Sequence, residues 1–161
     1  LENNRHDYQL FHIYGLILLK LKRIETAISY FQSSIRIRSD FIDSHFNLSL
    51  AFNDLKKYEE AILPLIECLK INPQSTQTLI FLGNLYLKLN QEKKSESYYN
   101  EVLKLNSKHN IAYYSLANLY KKKKNIIRLL LIINLQSNII IMILLLIIIL
   151  QPYIKRLENL N

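Results

Sequence analysis

Four histidines, one cysteine and a few carboxylates are the side chains of this 161-residue sequence that could do chemistry. His6, His12, His45 and His109 are scattered, and no pair of them stands beside a Cys, Asp or Glu at the short spacing that a metal site uses. Glu59-Glu60 and Glu92 open stretches of helical periodicity, where a carboxylate favours the positive end of the helix dipole, so they read as cap electrostatics and not as an acid–base pair. Cys68 shares a column with Ser34 and Val102 on an apolar face and reads as a small buried residue, not a nucleophile. A single thiol builds no internal disulfide framework and fits a reducing compartment. No glycine-rich loop is present to cradle a phosphate. The expectation is a protein that is not an enzyme, with no catalytic, metal or cofactor-binding residues and no cofactor.

What positions these residues must be helical. Half of the chain is apolar, yet it has 2 Gly, 3 Pro and no Trp, too few turn residues for an all-β protein. The length allows one domain with a real core. The net charge of +8 is uneven: Lys121 to Lys124 form one run, and Arg128, Lys155 and Arg156 follow against Glu158. Such a balance suits RNA, an anionic membrane or an acidic peptide. No RNA-recognition motif, zinc pattern or arginine-rich arm accompanies it, so the run reads as a solvated helix end and nucleic acid is not an expected partner. Leu1 to Asp7 is polar and opens no signal peptide, which places the chain in the cytoplasm; it begins at Leu1 as a fragment would.

Three stretches superpose with a shift of 34 residues. The shift puts Tyr14, Leu48, Leu82 and Leu116 in one column and Gly15, Ser49, Gly83 and Ala117 in the next. Apolar spacing predicts helices at Tyr8 to Lys20, Ile24 to Arg38, Phe41 to Asp54, Tyr58 to Ile71, Thr76 to Leu89, Glu92 to Leu105 and Ile111 to Lys122. The breaks between them are short enough to force consecutive helices antiparallel. Three residues past the small column come Leu18, Phe52, Tyr86 and Tyr120. Twelve past it, the second helix of each pair offers Ala27, Ala61 and Ser95, followed four residues on by Phe31, Leu65 and Tyr99. Small faces small and large lies beside small, the pattern of closely crossing helices. Pro73 ends the second repeat, and Ser39 and Ser107 stand there elsewhere as N-cap-competent residues.

This pattern resembles the tetratricopeptide repeat. The best match is Ile42 to Ser75, with Leu48, Ser49, Phe52, Ala61, Pro73 and the run Lys57-Tyr58-Glu59-Glu60-Ala61-Ile62. Repeats fall at about 8–41, 42–75 and 76–109, with a partial one at 110–125, so that 8–124 forms the repeat domain. Phe11, His45, Leu79 and Tyr113 occupy the place of the family's large Trp. The resemblance implies an all-α fold, an α-solenoid of antiparallel helix pairs wound as a right-handed superhelix. It also implies a scaffold without catalysis that binds a peptide or helix of a partner protein in its concave groove.

On the groove face the resemblance places Gln9, His12, Leu16, Phe46, Asn47, Leu50, Asn53, Asp54, Gln77, Ile80, Phe81, Asn84, Tyr114 and Asn118, a mixture of aromatic and amide side chains. Relatives that grip a chaperone's C-terminal carboxylate use Lys and Arg here. This chain has His12, Leu16, Asn47, Gln77 and Phe81, which supply no cationic fork. An asparagine ladder of the kind found in a glycosyltransferase family is represented by Asn47 alone, with Ile13, Phe81 and Ser115 in its column. An N-terminal fragment of a larger glycosyltransferase- or sulfotransferase-like protein is the remaining enzyme-linked alternative.

After Asn125 the character changes. Leu129 to Leu150 is 22 residues without a charge, and a membrane helix needs about 20 mostly apolar residues. Three readings of 126–161 stand open: a transmembrane helix at 129–150 that would anchor a cytosolic repeat domain as a tail-anchored adaptor, an apolar helix capping the solenoid, or a frame error that ends the repeat register at Asn125.

Overall fold

The computed structural model describes residues 7–122 and 126–136. The chain divides into two compact units, Leu1–Leu105 and Asn106–Asn161. Among the described residues of the first, α1 (Asp7–Lys20), α2 (Ile24–Ile37), α3 (Ile42–Asp54), α4 (Tyr58–Ile71), α5 (Thr76–Lys88) and α6 (Glu92–Leu105) follow one another. The second unit holds α7 (Asn110–Lys122) and α8 (Ile126–Gln136). No strand occurs among the described residues. The helices expected from apolar spacing therefore form, with ends that shift by a residue.

In the first unit α1 packs on α2, α3 on α4 and α5 on α6, and the pairs are stacked through α2 on α3 and α4 on α5. The small column sets how closely the paired helices cross. A Cβ built on Gly15 would stand 2.5 Å from the Phe31 ring, and one on Gly83 would be 2.8 Å from Cδ1 of Tyr99. In the middle repeat the Ser49 hydroxyl donates to the Ala61 carbonyl at 2.8 Å, and the large partner is the aliphatic Leu65. Ala27, Phe31, Leu48 and Ala51 form one buried cluster, and Ala61, Leu65, Leu82, Leu85 and Tyr86 another.

Both glycines are thus spent on packing, and the helix ends manage without them. Lys22, Lys56 and Asn90, spaced by one repeat, adopt φ of 60°, 60° and 57°. Around each, the chain closes two backbone bonds, such as Arg23 N–H to the Leu18 carbonyl at 2.9 Å and Lys22 N–H to the Leu19 carbonyl at 3.0 Å. This is the Schellman arrangement, which normally places glycine where Lys22 stands. A side chain in the left-handed region costs about 1 kcal/mol or more, which the stacking of the flanking pairs must offset.

The breaks between repeats depart from the sequence expectation. Ser39 and Ser107 do not cap the following helices with their hydroxyls; their carbonyls instead accept from His45 Nε2 at 2.8 Å and from the Tyr113 hydroxyl at 2.9 Å. Side-chain capping lies two residues later in the register. Ser75 Oγ accepts from Thr78 N–H, and His109 Nδ1 accepts from Ala112 N–H. Asn72 and Asn106, each at the same place in its repeat, tighten the turn by accepting the N–H two residues on.

The second unit carries its own surprise. α8 begins at Ile126, 34 residues after α6 begins at Glu92, and packs on α7. A helix at the repeat spacing therefore follows Asn125. Arg128 lies with its guanidinium carbon 5.6 Å from the centre of the Tyr120 ring and donates to its hydroxyl. α8 has 11 residues, a rise of about 16 Å against the roughly 30 Å hydrocarbon core of a bilayer. No helix among the described residues is long and apolar enough to cross a membrane. The expected span 129–150 enters the described residues only as far as Gln136; the rest of it, and the capping and frame-error readings of the tail beyond that point, lie outside them.

Candidate partner-binding face

The first helices of the pairs, α1, α3 and α5, lie side by side in the first unit, α1 against α3 and α3 against α5. One aromatic contact crosses from α3 to α5. The rings of Phe46 and Phe81 tilt at 54° with centroids 5.6 Å apart, both half-buried against the cluster around Leu82. Offset and tilted ring pairs of this kind contribute about 0.5–1.5 kcal/mol beyond their area. Leu50 and Ile80 are also half-buried, whereas Gln77 and Asn84 are exposed.

The amides are held rather than loose. Tyr99 reaches across from α6 and donates its hydroxyl to Asn84 Oδ1 at 2.7 Å, which commits the oxygen and leaves the two N–H groups as the donors Asn84 can offer a ligand. Lys88 donates to Asn53 Oδ1 at 2.7 Å while lying 4.9 Å from the centre of the Tyr58 ring. Asn47 turns back on its own helix, donating to the Asp43 carbonyl at 2.8 Å. The polar atoms of Asn84 and Lys88 are thereby preorganised, which lowers the entropy lost when a partner docks.

His12 does not join this face. It is buried, with Nδ1 3.0 Å from Ser44 Oγ and its ring between Phe31 and Phe41 at centroid distances of 5.6 and 5.1 Å. Ser44 Oγ lies 2.7 Å from Ser34 Oγ, and Ser34 donates to the Tyr8 carbonyl at 2.7 Å. A carbonyl only accepts, so the Ser34 proton is committed to Tyr8. The Ser44 proton must then go to Ser34, and His12 must hold its proton on Nδ1 to serve Ser44. Burial pushes the His12 pKa below its ordinary value, opposed by the charge of Asp43. The sequence column fixed its place along α1, but the crossing of α2 and α3 turned it inward.

Leu16 is half-buried against the cluster of Ala27 and Phe31, so it adds little accessible surface. Ile13, one position beyond His12, is 50% exposed and is α1's apolar offering on this side. Lys88 was missed by sequence reasoning altogether. It stands in the column of Asp54, which the resemblance does place on the groove face, but the column alternates in charge from Lys20 through Asp54 to Lys88. Tyr114 and Asn118 are exposed on α7 and belong to the second unit.

Cys68 repeats a structural role. In the first repeat Ser34 donates to the Tyr8 carbonyl; one repeat later Cys68 Sγ donates to the Ile42 carbonyl at 3.6 Å. Burial pushes the thiol up to about 12, so it carries almost no thiolate near neutral pH. Among the described residues no three His, Cys, Asp or Glu side chains converge to hold a metal ion.

The profile of the tetratricopeptide repeat matches three consecutive segments, 8–41, 42–75 and 76–109. The chain belongs to the tetratricopeptide repeat family. Among curated proteins, this repeat chain is 20% identical over 162 residues to the Protein O-mannosyl-transferase Tmtc3 of Drosophila melanogaster, an alignment covering 100% of the chain and 18% of that protein. It is 25% identical over 117 residues to the BBSome complex member BBS4 homolog of the same organism, covering 66% of the chain and 24% of that protein. The chain thus spans about a fifth to a quarter of these relatives. Among solved structures, a tetratricopeptide repeat protein from Parabacteroides merdae matches with a TM-score of 0.76 and 24% identity over 81% of this chain and 51% of that one. The first tetratricopeptide domain of Spaghetti (RPAP3), bound to the HSP90 peptide SRMEEVD, matches with a TM-score of 0.68 and 17% identity over 74% of this chain and 94% of that one. YrrB, a repeat protein with an unusual peptide-binding site, matches at 0.68 and 16% over 83% and 69%.

Proposed function

We propose that this chain is a protein-interaction scaffold whose first unit docks a segment of a partner protein across α1, α3 and α5. The observation that carries this reading is the Phe46–Phe81 contact bridging α3 and α5, flanked by the tethered Asn84 and Lys88. A ring pair takes an apolar side chain of the ligand, and the Asn84 amide donates to its backbone carbonyl. That combination recognises a peptide by shape and main chain more than by charge. Peptide binding by structural neighbours of the same fold supports it.

The face argues against an acidic C-terminal tail as ligand. His12 is turned inward, Leu16, Asn47, Gln77 and Phe81 carry no cation, and the ammonium of Lys88 is engaged by Asn53 and the Tyr58 ring, so no cationic fork faces a carboxylate. A membrane adaptor role has no support among the described residues. The whole-chain match to an O-mannosyl-transferase favours a second reading, in which these repeats are the scaffold region of a larger glycosyltransferase-like protein.

The scaffold reading is tested with a photo-crosslinking residue at Gln77, which is exposed beside the ring pair, and a matched one at Lys70, which is exposed on a second helix. Partners should be captured from Gln77 and not from Lys70, and Phe81→Ala with Asn84→Ala should abolish capture while leaving the helical circular dichroism unchanged. Equal capture by the double variant would discard this face. For the second reading, the full gene carrying this chain should encode a transferase domain; its absence would dismiss that alternative.

A further inference from the structure

In the third repeat the aromatic residue three positions past the small column is covered by its own chain. Tyr98 of α6 stacks on Tyr86, with ring centroids 5.4 Å apart and planes 8° from parallel. Lys94, also of α6, sets its Nζ 5.0 Å from the centre of the Tyr86 ring. A flat group and a cation thus share this position.

The second repeat carries neither. Shifted back by 34 residues, Phe52 holds the place of Tyr86, Pro64 that of Tyr98 and Glu60 that of Lys94. Proline has no ring that could stack as Tyr98 does, and the cation has become a carboxylate. A cavity of about 490 Å³ opens here, with Leu48, Phe52 and Pro64 as its apolar walls. Leu63, which is 64% exposed, and the exposed Glu59, Glu60 and Gln32 form its edge.

The edge is negative and rich in acceptors. Glu59 and Glu60 stand in the first turn of α4, and among the described residues neither forms an ion pair, not even with Lys56 and Lys57 just ahead of them. The positive end of the α4 dipole amounts to about half a charge, too little to offset two carboxylates. Pro64 lies inside α4 and has no N–H, so the Glu60 carbonyl lacks its helical donor and adds a backbone acceptor.

We propose that this cavity, walled by α3 and α4, takes the guanidinium of an arginine side chain presented by a partner protein. The guanidinium is planar and always charged, so it stacks on Phe52 as Tyr98 stacks on Tyr86 and donates in its own plane to the acidic edge. Its aliphatic stem leaves the cavity along Leu63. A lysine brings the charge without the plane or the fork, and a neutral aromatic brings the plane but leaves the carboxylates unanswered. Phe46, Phe81 and Asn84 do not line this cavity, so the assignment stands apart from the face formed by α1, α3 and α5.

The test is a nuclear magnetic resonance titration of the full 161-residue chain with N-acetyl-arginine methylamide, and with its lysine analogue as the matched probe. The arginine probe should give saturable shifts at Phe52, Glu60 and Leu63, and the lysine probe should bind roughly fivefold or more weakly. Glu59→Gln with Glu60→Gln should weaken arginine binding by roughly tenfold or more. Glu25→Gln with Glu101→Gln removes the same charge from exposed positions elsewhere and should leave binding unchanged. Pro64→Tyr copies the third repeat and should close the site, while the amide spectrum of the other helices reports that the fold is kept. Absence of saturable shifts, equal binding of the lysine probe, or equal effects of the two glutamine pairs overturns the proposal. So does much tighter binding of free arginine than of the capped probe, since the occupant would then be a small molecule and not a partner's side chain.

Discussion

The ring of Tyr99 lies over Gly83 with so little clearance that a Cβ on residue 83 would stand 2.8 Å from Cδ1, while the Tyr99 hydroxyl reaches the neighbouring Asn84. The same residue therefore sets the crossing of α5 on α6 and tethers an amide of the binding face. Gly83→Ala is expected to destabilise the chain by about 1–3 kcal/mol, the usual cost of overpacking a close crossing. The middle repeat shows the way out, because it carries Ser49 opposite Leu65. In a Tyr99→Leu background the cost of Gly83→Ala should largely vanish. Urea titrations of the four proteins of this cycle measure the coupling, and an equal cost in both backgrounds would sink the explanation.

Ser95 faces Gly83 across the same crossing and is fully buried, and its Oγ has no hydrogen-bond partner. Its counterparts are Ala27 and Ala61, and the crossing in the middle repeat meets its one hydroxyl, that of Ser49, with the Ala61 carbonyl. Ser95→Ala removes an unpaired hydroxyl and improves helix propensity, so it should stabilise the chain by about 1 kcal/mol or more. Thermal and chemical melts check this; a loss of stability would reveal a partner for the hydroxyl.

The burial of His12 makes a pH prediction. Its folded pKa lies below the ordinary 6.5, with desolvation outweighing Asp43. Between the depressed value and 6.5 the unfolded chain binds more protons, so stability rises with pH there. The neutral imidazole's contribution is complete above 6.5 and diminishes as the pH falls toward the folded pKa, below which it stays level. His12→Gln should lose about 1–3 kcal/mol at pH 7.5 through the broken Ser44 bond, and the gap to wild type should narrow at pH 5. Parallel free-energy curves for the two proteins would show that His12 does not titrate differently on unfolding.

Much of this fold was legible as pattern. The small residues Gly15, Ser49 and Gly83 stand at one spacing from Phe31, Leu65 and Tyr99; Gly15 meets Phe31 and Gly83 meets Tyr99, because helices cross closely where a small residue admits a large one. The inward turn of His12 was not legible. His12 occupies the same column as Phe46 and Ile80, and only Ser44, brought in by α3 and itself bonded to Ser34 of α2, offers it a hydrogen bond inside. Lys88 was invisible because its partners Asn53 and Tyr58 come from the neighbouring repeat.

The sequence by itself determined the helices, their pairing and the family, since a 34-residue period repeats local spacing, and local spacing dictates which residues share a helix face. Tertiary structure decided which faces are used. Identical columns are sealed in α3 and α5 and left open in α1, according to whether a second helix lies against them. Burial depends on the neighbour as well as on the residue, and the register of one helix does not contain its neighbour. The run of the pairing into α8 was likewise decided in space. Composition changes at Asn125, yet α8 packs on α7, with Ile132 buried.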